Sequence, residues 1–242
     1  MNYEYDLTVI GGGSGGLVVA SAAAQLGAKV LLVEKNKLGG DCLYHGCVPS
    51  KTLIESSRVA RAFRTAERYG IKAQKPEVDL KKVMERVRSV IQTIAAHDSP
   101  ERFKALGCEV VFGSPEFTSP NEITAGGKKY SSKKFVIATG GRPAKAPIPG
   151  LEEAGYLTNM NVFDNTRLSE RLIVFGAGPI GLELAQAFVR LGSKVDILEK
   201  VDSIFTKEDT DVRVFMKELL QKEGINFHLG VNIKTVKKTS SG

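Results

Sequence analysis

Residues 8–35, TVIGGGSGGLVVASAAAQLGAKVLLVEK, decide the fold because the chain writes them twice. Residues 173–200, IVFGAGPIGLELAQAFVRLGSKVDILEK, align with them without a gap and share 13 of 28 positions. Each copy reads as a short apolar strand, a glycine-rich turn, an amphipathic helix closed by glycine (Gly27, Gly192), and a second apolar strand ending in glutamate. Strand, helix and strand in that order predict a βαβ unit, whose two strands must run parallel.

Within each copy sits G-x-G-x-x-G: Gly11, Gly13 and Gly16, then Gly176, Gly178 and Gly181. The first glycine permits a tight turn, the second lets backbone approach a pyrophosphate, and the third lets helix and strand pack closely. Ser14 in the first copy, and Pro179 and Ile180 in the second, open the helix whose N–H groups face the phosphates. Glu34 and Glu199 end the second strands, where a carboxylate accepts from both ribose hydroxyls and repels a 2′-phosphate. Lys35 and Lys200 follow directly. The expected fold is therefore α/β, with two Rossmann-like dinucleotide-binding units, each on a central parallel sheet.

Between the copies, 52–69 and 79–106 read as helical stretches. CEVVFGSPEF (108–117) and NEITAGGKKYSSKKFVIATG (121–140) read as short strands with Gly-Gly and Ser-Ser turns, a small β-meander. The segment 143–150, PAKAPIPG, reads as a linker, placing a boundary near Gly150. The expected domains are 1–150 and 151–242.

Composition excludes several classes. Of 242 residues, 42% are hydrophobic and 25% charged, ordinary for a globular protein. No apolar run approaches the roughly 20 residues of a membrane span, and the N-terminus lacks the basic and apolar regions of a secretory signal. The expectation is a cytoplasmic protein with no membrane partner. The net charge of +7 is spread over helices with interleaved Glu and apolar residues, which reads as solvated faces and not as a nucleic-acid surface.

GGDCLYHGCVPSK (39–51) holds two of the three cysteines, Cys42 and Cys47. In a reducing compartment a close pair is more often catalytic or metal-binding than structural. No second pair or histidine cluster supplies the remaining ligands of a zinc site, so no metal site is expected. Residues five apart on a regular helix point about 140° apart. A disulfide between them thus requires irregular backbone, which Gly46 permits, while Pro49 suits a helix start. Cys47 would then lie near a helix N-terminus, where a thiolate is stabilised, with Lys51 one turn on.

With these motifs the chain resembles the class I pyridine nucleotide–disulfide oxidoreductases, the group of lipoamide dehydrogenase, glutathione reductase and mercuric reductase. The resemblance rests on Gly11–Gly16 with Glu34, on residues 39–51, on ATGGRP (138–143), and on Gly176–Gly181 with Glu199. It implies FAD on the first unit, with Gly40, Asp41, Lys51, Ala138, Thr139 and Gly140 beside it, and NAD(H) on the second. It also implies that Cys47 is the thiol next to the flavin and Cys42 the one that attacks the substrate, a small disulfide such as lipoamide or a metal ion. Val18 of the first copy corresponds to Glu183 of the second, and the family pattern implies an ion pair of Glu183 with Lys51 near the flavin.

Three positions depart from the pattern. Asp41 stands at a usual threonine, Tyr44-His45 at a usual Asn-Val, and Pro179 at a position often held by an aromatic gate. Family members continue with the rest of the second unit, a Gly-Asp segment that returns to the first, and an interface domain that carries a His-Glu acid–base pair across a homodimer, so 151–242 is expected to be an NAD(H)-binding domain incomplete at its C-terminus. His45, His97 and His228 lack that context, so the chain resembles the N-terminal half of such an enzyme, expected to be inactive alone. The alternatives are a catalytically incomplete dinucleotide-binding module and a thiol-independent NADH diaphorase.

Overall fold

The computed structural model describes residues 2–239 and divides them into two compact units. One comprises residues up to 49 together with 88–143, the other 50–87 together with 144 onward.

The first unit is built on a six-stranded sheet. Its strands are β1 (Tyr5–Ile10), β2 (Val30–Glu34), β3 (Cys108–Phe112), β4 (Glu116–Ser119), β5 (Glu122–Ala125) and β6 (Lys128–Ile137), in the order β3-β2-β1-β6-β5-β4. The pairs β3-β2, β2-β1 and β1-β6 are parallel; β6-β5 and β5-β4 are antiparallel. The expected small β-meander is β4-β5-β6, joined to the parallel strands through β6. Lys128–Ser131 pair with β5, and Ser132–Ile137 continue the same strand alongside β1.

The strand β2 is buried at every residue, as VLLVE requires of a strand covered on both faces. Leu32 faces α1 (Ser14–Gln25) with Val9, Leu17, Ala20 and Phe103; Leu31 and Val33 face Tyr5, Ile123 and Tyr130 on the other side. These two clusters fix the height of the glycine turn that joins β1 to α1.

The helical stretch expected from 52 starts earlier. A short helix α2 (Gly40–Tyr44) is followed by α3 (Cys47–Thr65), and Pro49 is accommodated in its first turn, where no intrahelical N–H bond is lost. The second stretch is not continuous: α4 (Leu80–Ala95) gives way to a 3₁₀ turn (Ala96–Asp98), and α5 (Pro100–Ala105) restarts the helix. The break is written in Ser99-Pro100. The Ser99 side chain caps α5 by accepting from Arg102 N, and Pro100 takes the first helical position.

The second unit carries a parallel three-stranded sheet in the order β7-β8-β9, from β7 (Arg171–Phe175), β8 (Lys194–Leu198) and β9 (Ile225–His228). Also in this unit are a one-turn helix α6 (Leu151–Ala154), α7 (Pro179–Leu191) and α8 (Thr210–Lys222). Leu182, Ala185, Phe188 and Leu191 of α7 are buried on the sheet face that holds Val195 and Ile197. The opposite face leaves Ile173 and Phe175 exposed, and there His228 Nε2 lies 3.0 Å from Asp196 Oδ1. The expectation of an α/β fold with two Rossmann-like units is borne out. Among the described residues no helix is long and apolar enough to cross a membrane.

Candidate functional site

The glycine turn of the first unit is locked by its own backbone. A Cβ on Gly16 would stand 1.8 Å from the carbonyl oxygen of Gly11, so helix and turn meet at a distance only glycine allows. Gly11 N in turn donates to Val33 O at 2.8 Å. Ala138 N donates to Ile10 O at 2.8 Å, bringing Ala138 and Thr139 against the turn, with Gly140 following. Gly13 precedes Ser14 at the start of α1, and no side chain caps this end, so its N–H groups face outward for an anion.

Each terminal glutamate holds the turn of its own unit. Glu34 Oε2 accepts from Gly12 N at 2.7 Å and Oε1 from Asn36 N at 2.8 Å. Glu199 repeats this at the equivalent positions, accepting from Ala177 N at 2.7 Å and Val201 N at 3.0 Å. Burial pulls the Glu199 carboxyl upward, but the N–H groups of Ala177, Val201 and Lys200 outweigh it and hold it below the usual carboxylate range. Each carboxylate oxygen uses one acceptor site and keeps another, which suits the two hydroxyls of a ribose. The residues present therefore fit an adenosine diphosphate moiety in both units. Gly176, Gly178 and Gly181 recur around Pro179 at the start of α7, and Ile180 there is exposed.

The dithiol segment is seated on the first turn. Gly39 N donates to Gly12 O at 2.8 Å, and Gly40, at φ +58°, passes so near Gly13 that a Cβ would lie 2.6 Å from its Cα. The double glycine before Cys42 is thus a backbone crossing over the phosphate turn. Cys42 lies in α2 and Cys47 opens α3; both are free thiols, Cys42 half-buried and Cys47 exposed. His45 and Gly46 break the helix between them, and the chain folds back so closely that a Cβ on Gly46 would lie 3.3 Å from Cys42 Cα. His45 is half-buried, its ring 6.3 Å from that of Tyr44.

Burial is the main cause that raises the Cys42 thiol above its ordinary range. The Cys47 thiol and the Asp98 carboxylate add to it, and the Cys47 N–H, which donates to Cys42, offsets part. Cys42 opens on a cleft of about 320 Å³ in the first unit, lined also by Ser14 and Val18 of α1, Leu43, Asp98 and Arg102. Sequence reasoning missed Asp98 and Arg102. The Ser99-Pro100 break, which places them at the end of one helix and the start of the next, was the available signal.

In the second unit Lys51 Nζ donates to Glu183 Oε1, which also accepts from Ser50 Oγ at 3.3 Å. The structure therefore brings these two site candidates together. Their side chains are 63% and 30% exposed, so the pair adds little to folding stability. Lys35 and Asp41 are exposed.

Residues 5–241 match the family of pyridine nucleotide-disulphide oxidoreductases. The dihydrolipoyl dehydrogenase of Acholeplasma laidlawii is 34% identical over 98% of this chain and 71% of its own length. That of Bacillus subtilis is 36% identical over 99% and 54%, and the mercuric reductase of Bacillus cereus 30% over 98% and 38%. The HOCl-induced flavoprotein disulfide reductase RclA of Escherichia coli superposes with a TM-score of 0.82 at 25% identity, over 96% of this chain and 50% of that one. The chain thus spans between 38% and 71% of these curated relatives and half of that structure. A family match across nearly all of the sequence, carried on the fold and the doubled glycine turn described above, shows that the chain belongs to the pyridine nucleotide-disulphide oxidoreductases.

Proposed function

We propose that the chain forms the nucleotide-binding and dithiol part of a flavin disulfide oxidoreductase of the lipoamide dehydrogenase and mercuric reductase type. The observation that carries this reading is the seating of the dithiol segment on a phosphate-binding turn through Gly39, Gly40 and Gly13. The first turn, Glu34 and Ala138–Gly140 would hold FAD; the second turn and Glu199 would hold NADH. Bound FAD supplies two-electron transfer between the nicotinamide and the dithiol. The resemblance gives Lys51, paired with Glu183, the role of offering positive charge to that cofactor, and the substrate would be a small disulfide or a soft metal ion.

The protein's own chemistry is thiol exchange. Cys42 attacks, a mixed disulfide forms, and Cys47 resolves it to leave the Cys42–Cys47 disulfide. With Cys47→Ser the mixed disulfide on Cys42 persists and is seen by intact mass after one equivalent of a small disulfide. With Cys42→Ser no resolvable adduct forms there. A persistent adduct in the Cys42→Ser protein and not in Cys47→Ser would exchange the two roles. A visible spectrum of the protein with added FAD tests the cofactor: a protein that binds no flavin returns the reading to a bare nucleotide-binding module, and flavin reduced by NADH without change in the dithiol returns it to a diaphorase.

NADH is expected to bind at least about tenfold more tightly than NADPH. A 2′-phosphate against Glu199 meets like charge and removes a hydroxyl donor, each worth roughly 1 kcal/mol or more. Nucleotide fluorescence titration measures the ratio, and tighter binding of NADPH overturns the assignment. Glu199→Arg is not a clean specificity switch here, because it also releases Ala177 N and Val201 N.

A further inference from the structure

Lys37 and Tyr44 bracket the stretch that lays Cys42 over the first phosphate turn, and the chemistry above gives neither a role. Tyr44 ends α2 and stands at one of the positions that depart from the family pattern. Lys37 Nζ lies 3.5 Å from the centre of its ring. Lys37 is exposed and Tyr44 half-buried. Burial first, and the Asp98 carboxylate second, push the Tyr44 hydroxyl above its ordinary range, so the ring stays neutral and keeps the electron-rich face that attracts an ammonium. With five residues, α2 is too short to persist on its own hydrogen bonds. Leu38 and Leu43, 4% and 2% exposed, and the bond from Gly39 N to Gly12 O fasten its middle. The contact of Lys37 with Tyr44 closes the same stretch at its two ends. Cys42 sits inside it. Cys47, whose N–H and thiol both hydrogen-bond to the Cys42 sulfur, lies just outside.

We propose that Lys37 and Tyr44 are positioning residues: their cation–π contact holds α2 so that Cys42 meets Cys47, and thereby favours closing of the Cys42–Cys47 disulfide. This rests on the thiol-exchange reading of the pair. In the reaction concerned the Cys42–Cys47 bond forms and the S–S bond of a small disulfide breaks. The dithiol loses two electrons and two protons, and the small disulfide takes both to become two thiols. Holding the two sulfurs together beforehand removes part of the entropy cost of closure. An exposed cation–π contact changes that equilibrium by about two- to fivefold.

The test is the equilibrium of the 242-residue chain with glutathione and glutathione disulfide, the oxidised fraction being read by acid quenching, alkylation and intact mass. Cys108 is buried in the core and takes no part. Lys37→Met and Tyr44→Leu are each expected to lower the constant for disulfide closure by about two- to fivefold. The double variant is expected to lose no more than either single one, since the same contact is removed each time. Lys37→Arg keeps the cation and Tyr44→Phe the ring, and both are expected to keep the parent's value. Lys37 is exposed, so Lys37→Met disturbs no core packing. Loss of positive charge alone works in the opposite direction: a lysine near the pair favours thiolates, and removing it would raise the constant. A constant that is unchanged or rises in Lys37→Met, effects that add in the double variant, or a Tyr44→Phe protein as impaired as Tyr44→Leu overturns the clamp and leaves the thiol-exchange reading standing. A parent chain that forms no Cys42–Cys47 disulfide with glutathione disulfide overturns both.

Discussion

Replacing Glu223 with alanine lowers the stability of the second unit by about 3–5 kcal/mol, the cost of breaking a buried ion pair from one side. Glu223 caps α8, and only 7% of its side chain is exposed. Arg190 of α7 grips it with two bonds, Nε to Oε2 at 2.6 Å and Nη2 to Oε1 at 2.7 Å. Arg61 of α3 adds a contact at 2.8 Å and Gln186 Nε2 another at 3.1 Å. Arg64 Nη1 donates to the Arg190 carbonyl, so three helices converge on one carboxylate. Without it, two guanidinium groups face each other, one of them with a side chain only 14% exposed. Glu223→Gln keeps a carbonyl acceptor and is expected to lose less. The exposed Glu55–Arg58 pair on α3 serves as the control, since removing Glu55 exposes no buried charge. Urea unfolding followed by circular dichroism measures all three. Equal midpoints for the Glu223 and Glu55 variants would show that the cluster does not hold the helices.

Two neighbouring glycines are expected to respond in opposite directions. Gly16→Ala forces a Cβ to within 1.8 Å of Gly11 O, a backbone atom tied to β2 through Gly11 N and Val33 O. Neither side can yield without opening the turn. The expected loss is about 3 kcal/mol, the upper range of overpacking, together with ADP binding. Gly15→Ala meets nothing within 4 Å and lies in α1, where alanine is favoured by about 0.5–1 kcal/mol. Unfolding midpoints and calorimetric ADP titration separate the two. An Gly16→Ala protein that binds ADP as the parent does would remove the close helix–turn contact from the account of the site.

The doubled βαβ unit was legible because its determinants are local. Apolar runs of strand length, glycines at fixed offsets and an acid at the strand end act over a few residues each, and their repetition in 173–200 made them unambiguous. The irregular backbone between Cys42 and Cys47 was legible for the same reason, from Gly46 and Pro49. The pairing of Lys51 with Glu183 stood midway. The mismatch with Val18 marked the position, but resemblance, not spacing, named the partner.

The sequence by itself determined the two glycine turns, their terminal glutamates and the presence of the dithiol. Tertiary structure alone decided that Glu34 and Glu199 grip their own turns, that Gly39 and Gly40 lay the dithiol segment over Gly13, and that Asp98 meets Cys42 in one cleft. It also decided that Arg61 and Arg190 share Glu223. The physical reason is range. Periodicity and turn chemistry constrain a residue against its neighbours in the chain. Which side chains meet across helices and loops depends on how whole elements pack and where a helix is cut, as Ser99 and Pro100 cut the one that delivers Asp98.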